Sequence, residues 1–439
     1  MNRSDAQPAY PPGPPPAWEP PEPSVTAETP VWGPATTTEQ AAETAADTAT
    51  HDRAASDTSD PDHFGNSDGA LPPLVTTGPN GDAAIDDLLR YVVDIKASDL
   101  HVKAGSSPTV RVSGELVPLD YPMLKADPPR EMAFAMMKDK DKETLEAKGE
   151  VDFAYSLPGT GRFRVNVHRQ RGSVGIAARR ILPGAPDFAS LGLPEAVEKL
   201  SNEHRGLLLI TGPTSSGKTT TCGAILKRIN QTRRCHIVTI EDPIEIIHDD
   251  QMSMVTQREV GQDTADFHSA LRAAMRQDPD VIFVGEIRDT ETVKAALQAA
   301  ETGHFVLATL HTTDIAETIT RIIDFFPADQ QKQVRVALGG SLVGVVTQRL
   351  LSKVGGGRAP ALEIMLNNGR IHECIIDPEK TSSIHEIVAG SEFYGMQTFD
   401  QALIKLYSDG LVTLEDAKSA ANNPHDFELA LQKAGVLAV

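Results

Sequence analysis

The sequence predicts an α/β protein, built on a doubly wound, mostly parallel sheet and preceded by a small α+β domain. Three observations carry this. Short apolar runs at Leu207–Ile210, Ile237–Ile240, Val281–Val284 and Phe305–Leu310 alternate with helix-compatible stretches, the pattern of buried strands joined by crossover helices. The first run passes into Gly212-Pro213-Thr214-Ser215-Ser216-Gly217-Lys218-Thr219, which matches G-x-x-x-x-G-K-[ST]. Upstream, Asp99-Leu100-His101-Val102 and Pro108–Val112 alternate in twos like half-buried strands.

The 439 residues carry a formal net charge of −20. Residues 1–80 hold about half of that charge and half of the prolines, with Arg3 and Arg53 as their only basic residues. Too few apolar residues lie there to offset the entropy of ordering, so 1–80 is read as a disordered tail. It contains both tryptophans, Trp18 and Trp32. Ile85, Leu88, Leu89 and Val92 then have helical spacing. The two alternating runs follow, closed by the turn Ser113-Gly114-Glu115, and residues 122–148 are charged and helix-prone. Val151–Arg180 reads as strands around the turn Leu157-Pro158-Gly159-Thr160-Gly161. These elements form an α+β domain over 81–182. Pro183-Gly184-Ala185-Pro186 opens a linker, 183–200. The α/β core is expected over 201–358, and a mainly helical C-terminal subdomain over 359–439.

Composition excludes several classes. Cys222, Cys235 and Cys374 are scattered and form no C-x-x-C pair, so neither a disulfide framework nor a zinc site is expected. A reducing cytoplasm fits. No apolar run approaches the ~20 residues of a membrane helix, and the acidic, proline-rich start lacks the features of a signal peptide. An acidic folded part argues against a nucleic-acid track.

The glycine-rich loop between strand and helix has the context its motif needs, as in P-loop NTPases. Its N–H groups and the helix N-terminus point at phosphates. Lys218 reaches the β- and γ-phosphates, the Thr219 hydroxyl holds Mg²⁺, and nucleotide contact extends to Thr220. Further clusters follow. Thr239-Ile240-Glu241-Asp242-Pro243-Ile244-Glu245 places three carboxylates in a turn after a strand. Asp278–Glu286 is an apolar strand ending in an acid, the arrangement that organises Mg²⁺ beside a P-loop. Thr302-Gly303-His304 and Thr309-Leu310-His311-Thr312-Thr313 flank the next strand. Arg162, Arg164 and Arg179 of the first domain offer positive charge to a nucleotide. Spacing alone favours Glu286 as the hydrolytic acid.

On these residues the chain resembles the type II secretion and type IV pilus superfamily of ATPases, and within it the pilus-retraction (twitching motility) type, over roughly 85–420. Ile240–Glu245 resembles the family's Asp box, Val284–Asp289 its Walker B, and Thr309–Thr312 its His box. Gln257-Arg258-Glu259-Val260-Gly261 and Gly395-Met396-Gln397-Thr398 also look like family signatures. The resemblance implies a RecA-like core, a PAS-like first domain, and ATP hydrolysis with Mg²⁺. It also implies a homo-hexamer, cytoplasmic and peripheral to the inner face of the membrane, that works on a pilus platform protein to drive pilin removal. Glu245 would be the general base, Glu286 would act on Mg²⁺, and His304 and His311 would sense the γ-phosphate. Arg164 and Arg179 would reach into a neighbouring subunit's site.

The sequence departs from the pattern in places. Ser215 stands where relatives have glycine, tolerable unless the backbone there needs φ > 0. The retraction type's C-terminal motif is replaced by Gly369-Arg370-Ile371-His372-Glu373-Cys374-Ile375-Ile376. Arg321–Pro360 lacks the cysteine pairs of the assembly type's zinc-binding insert. Two alternatives stay open: a pilus assembly or type II secretion ATPase, and a nucleotide-binding accessory subunit to a more active paralogue. Removal of residues 1–80 is expected to leave assembly and ATPase turnover intact; loss of either would show that part of the tail docks.

Overall fold

Strand periodicity separates two sheets in the computed structural model, which describes residues 71–76, 84–112 and 114–436. The first is antiparallel: β1 Asp99–Lys103, β2 Thr109–Val112, β3 Glu115–Pro118, β4 Glu150–Leu157, β5 Gly161–Gln170 and β6 Ser173–Pro183, in the order β3-β2-β1-β6-β5-β4. Along β5, Phe163, Val165 and Val167 are buried while Arg162, Arg164, Asn166 and His168 face the other side, the strand period of two. The buried face packs on the helices Ile85–Asp94, Asp127–Met136 and Asp139–Lys148, through Leu88, Leu89, Val92, Met132 and Leu145.

The second sheet holds β7 Gly206–Thr211, β8 His236–Glu241, β10 Met254–Glu259, β11 Val281–Val284, β12 Phe305–Leu310, β13 Leu342–Ser352 and β14 Arg358–Leu366. Its order is β10-β8-β11-β12-β7-β13-β14, parallel throughout except that β14 runs antiparallel to β13. All six residues of β7 are buried. Leu207 and Leu209 enter one apolar cluster, Leu208 and Ile210 another. Helices cover both faces, which is why these strands read as continuous apolar runs rather than alternating ones. Each buried leucine contributes roughly 1.5–3 kcal/mol.

A two-residue strand, β9 Ile246–Ile247, joins the sheets by pairing in parallel with Leu182 and Pro183 of β6. No helix among the described residues is long and apolar enough to cross a membrane.

Three boundaries differ from the sequence reading. The expected helical C-terminal region begins later, because β13 and β14 form a hairpin around Gly355–Gly357 that completes the core sheet. The helical region starts at Gly369–Ile376, where Asn368 Oδ1 accepts from the N–H groups of Arg370 and Ile371. The 183–200 segment is not a plain linker: Phe188–Leu191 and Glu195–Leu200 are helical, and Val197 and Leu200 are buried against the core sheet. The tail reading ends too late. Leu71 and Leu74 pack on the first domain, and Tyr91 Oη donates to the Pro72 carbonyl at 2.6 Å. The rest of that reading, including Trp18 and Trp32, lies outside the described residues.

A chain starting at Leu71 keeps these contacts. A chain starting at Ala84 loses these contacts, worth about 2 kcal/mol, and should melt a few degrees lower. Equal melting temperatures for the two truncations would contradict the docking.

Candidate nucleotide-binding and hydrolysis site

The loop Gly212–Gly217 leaves the C-terminal end of β7 and enters the helix Lys218–Thr232. At Gly212 φ is +141°, and a Cβ there would lie 2.3 Å from the Gln348 carbonyl of β13. Ser215 adopts φ +65°. That meets the condition under which serine is costly in place of glycine: the left-handed conformation, at about 1 kcal/mol. The loop forms nonetheless, and it lines a cleft of about 550 Å³ together with Lys218, Thr219, Thr220, Glu245, Glu286 and His311.

Lys218 is buried, and burial pushes its ammonium below the usual lysine range. Its Nζ donates to the Gly212 carbonyl (2.8 Å) and the Pro213 carbonyl (2.9 Å), and lies 3.4 Å from His311 Nδ1. An ammonium has three donors and no acceptor, so His311 Nδ1 accepts and the ring proton sits on Nε2. His311 Nε2 lies 3.0 Å from Glu286 Oε1, and Arg288 Nη2 donates to Glu286 Oε2 at 2.7 Å. Arg288 Nη1 continues to Asp242 Oδ2 at 3.2 Å. One chain of polar contacts thus runs from the P-loop to the Asp box. Both Glu286 oxygens are occupied, whereas Glu245 is exposed to the cleft and accepts no hydrogen bond from a described residue. Spacing alone favoured Glu286 as the hydrolytic acid; in the structure Glu286 is the acid with both oxygens engaged and Glu245 the one without a partner among the described residues.

Glu241 lies behind the site. Burial pushes its carboxyl up to about 7, despite hydrogen bonds from Thr239 (2.6 Å) and Gln257 (3.1 Å). It lines the back of the cleft at the end of β8 while only 5% exposed.

The first domain supplies one wall. Arg179 lines the cleft of its own chain, where Asp99 Oδ1 accepts from its Nε at 2.8 Å. Burial raises the Asp99 carboxyl, and hydrogen bonds from Arg179 and Ser98 outweigh it, holding the group below its ordinary value. The Arg179 side chain is 71% exposed while Asp99 holds its Nε, so it borders the cleft of its own chain and still faces solvent. Arg164 does not line this cleft; it borders a smaller cavity with Asp242, Pro243 and Glu259. Arg162 pairs with Glu259 at 2.8 Å.

His304 is a correction. It precedes the first residue of β12, while the P-loop and His311 leave the opposite ends of β7 and β12, about 20 Å away along six residues of strand. Its Nδ1 donates to the Ala299 carbonyl at 2.9 Å, and its own carbonyl accepts from Gly206 N. It closes a helix-to-strand turn, away from the phosphate cleft of its own chain.

With this geometry in hand, comparison with known proteins is decisive. Residues 187–391 match the family described as type II/IV secretion system protein. The type IV pilus retractation ATPase PilT of Pseudomonas aeruginosa is 42% identical over 343 residues, covering 78% of this chain and 99% of that protein. The chain belongs to the type II/IV secretion ATPases. A twitching motility protein of Neisseria gonorrhoeae is 40% identical, over 72% of this chain and 85% of its own length. A crystal structure of the pilus retraction motor PilT with bound ADP superposes with a TM-score of 0.75 at 46% identity, covering 79% of this chain and all of that one.

In this secretion ATPase, sequence reasoning passed over Arg288, Gln348 and Arg358. Arg288 bridges two boxes. Gln348 is 2% exposed, accepts from Thr221 at 2.7 Å and abuts Gly212. As a polar residue within the apolar run of β13, it carried a readable signal: a buried amide needs a partner. Arg358, Phe267, Phe283 and Leu350 also line the cleft, brought there only by the tertiary fold.

Two outcomes are expected. Gly212→Ala drives a methyl into β13 and should cost at least about 2 kcal/mol and abolish nucleotide binding; a variant binding ADP normally would refute the close approach. Glu241 and Glu363 are both raised by burial to about 7 from 4.5. Folding therefore takes up protons, so their contribution to stability is full below about pH 4.5 and is lost as pH rises through 7. Glu241→Gln should flatten that slope and melt above the wild type at about pH 8, whereas melting profiles parallel over about pH 5–8 would count against it.

Proposed function

We propose that this chain is the ATP-hydrolysing motor that powers type IV pilus retraction, working as a ring of six subunits on the cytoplasmic face of the inner membrane against a pilus platform protein. The observation that carries it is the convergence of Lys218, His311, the paired Glu286 and the unpaired Glu245 on one P-loop cleft. The retraction ATPases it resembles over most of its length, one of them with bound ADP, supply the direction of work.

On ATP binding, Lys218 exchanges the loop carbonyls of Gly212 and Pro213 for the β- and γ-phosphate oxygens, and the loop's N–H groups and the helix N-terminus hold the phosphate charge. Glu245, with both oxygens free, takes the proton of the attacking water. Glu286 is held by His311 and Arg288, so it orients rather than abstracts. His311, between Lys218 and Glu286, registers whether the γ-phosphate is present. The Thr219 hydroxyl and the Glu286 carboxylate are hard oxygen donors that suit Mg²⁺, which would neutralise phosphate charge when bound. Arg179 approaches from the same chain, and Arg164, outside the cleft, is the candidate arginine for a neighbouring subunit; such a residue is worth about 10³–10⁵ in rate. The stroke is rotation of the first domain against the core about the short segment Pro183–Asp187. The absence of paired cysteines between Arg321 and Pro360 supports retraction over assembly.

Lys218→Ala is expected to lose nucleotide binding and turnover together. Glu245→Ala should bind ADP normally yet lose turnover by at least about 10²-fold. Steady-state ATPase of the isolated protein checks both, and substantial hydrolysis by Lys218→Ala would sink the reading. A deletion strain should carry excess surface pili; a bald one would reassign the motor to assembly.

A further inference from the structure

We propose that the Arg162–Glu259 ion pair couples the position of the first domain to the placement of Glu245. Arg162 lies on β5, and its Nη2 sits 2.8 Å from Oε2 of Glu259, the last residue of β10. The Glu259 side chain is 5% exposed. The same Oε2 also accepts from the N–H of Ile244 at 3.2 Å, and Ile244 directly precedes Glu245. One carboxylate oxygen is therefore shared between a first-domain arginine and the loop that carries the proposed base.

The other side of Glu245 is held by the same domain. Ile246 and Ile247 pair with Leu182 and Pro183 of β6. Within the first sheet, Arg162 lies opposite Ile181 of β6. Adjacent points on β5 and β6 thus reach the chain on either side of Glu245, the first through the Glu259 carboxylate and the second by direct strand pairing. The backbone of Glu259 does not yield: its N–H donates to Asp263 Oδ2 at 2.9 Å, and the next residue, Val260, donates to the Glu241 carbonyl at 2.8 Å. Movement of the first domain then pulls Ile246 and Ile247 through β6 and re-aims the Glu259 carboxylate through Arg162, while the backbones of β8 and β10 stay with the core; Glu245 lies between these two points. Arg162 Nε is buried and donates to no described residue, so the pair can gain a further hydrogen bond as the domains rotate. Arg162 and Glu259 are positioning residues: neither lines the nucleotide cleft.

This inference rests on Glu245 acting as the base. The test uses the full chain and measures steady-state ATPase, affinity for fluorescent ADP and thermal unfolding for Arg162→Ala, Glu259→Gln, the double variant and Glu245→Ala. Glu259→Gln is isosteric and keeps an acceptor for Ile244 N–H, so it separates loss of the ion pair from loss of fold. Each single variant should lower kcat about tenfold with ADP affinity unchanged within about twofold, and the double variant should be no worse than either single, the non-additivity of a shared contact. Wild-type kcat in Arg162→Ala, losses that multiply in the double variant, or a parallel fall in ADP affinity would each overturn the coupling. Were Glu245→Ala to turn over normally, the assignment of the base would fail first and take this inference with it. An inactive Glu245→Ala beside a fully active Arg162→Ala would remove the coupling alone.

Discussion

Everything in the cleft hangs from the register of one buried parallel sheet. Thr211 pairs with Leu310, Ala308 with Val284, and Val284 with Ile240. The segments leaving β7, β12, β11 and β8 therefore emerge side by side at one edge, where ligands bind in open α/β sheets. Those segments are the P-loop, the His box, Walker B and the Asp box. A register slip of one residue in any strand would exchange its side chains between the two apolar clusters they fill and carry its catalytic segment about 3.3 Å out of line. Apolar burial on both faces holds the register, and the site inherits its precision from that burial.

Within that frame the charges are arranged as a relay of filled partners. The three donors of Lys218, the two nitrogens of His311, both oxygens of Glu286 and two arms of Arg288 are all used. Such a network stiffens when every member is satisfied. It also means that a phosphate drawing Lys218 away leaves His311 Nδ1 without its donor, and the change passes to Glu286 and Arg288. Glu245 stands outside this relay, and its freedom is what distinguishes it.

Much of this was legible in the sequence, because the signals were local. The apolar runs of β7, β8, β11 and β12 each lie within a residue of their observed ends, since burial on both faces demands continuous apolarity. β13 and β14 were missed: Gln348 and Arg349 interrupt one run, and the Gly355–Gly357 turn read as the end of the domain rather than a hairpin. The P-loop, Glu286 and His311 were visible because each sits on or just after a strand. His304 sat equally near a strand but at its wrong end, and only strand direction separates the two histidines. Arg179 was expected to reach a neighbouring subunit, and its place beside its own chain's cleft depends on Asp99, eighty residues away in sequence.

The contact between Gly212 and the Gln348 carbonyl also bears on how far this loop can be treated as a movable part. A phosphate-binding loop is usually imagined as a self-contained cassette. Here its first glycine is moulded against β13, a Cβ on its last would lie 2.7 Å from Gln348 Nε2, and Gln348 in turn holds Thr221 of the following helix. Loop, helix and a strand more than a hundred residues downstream make one casting. A chimera that imports another ATPase's P-loop without the matching β13 would carry the right consensus on an ill-fitting mould, so these two stretches are free to diverge only as a pair.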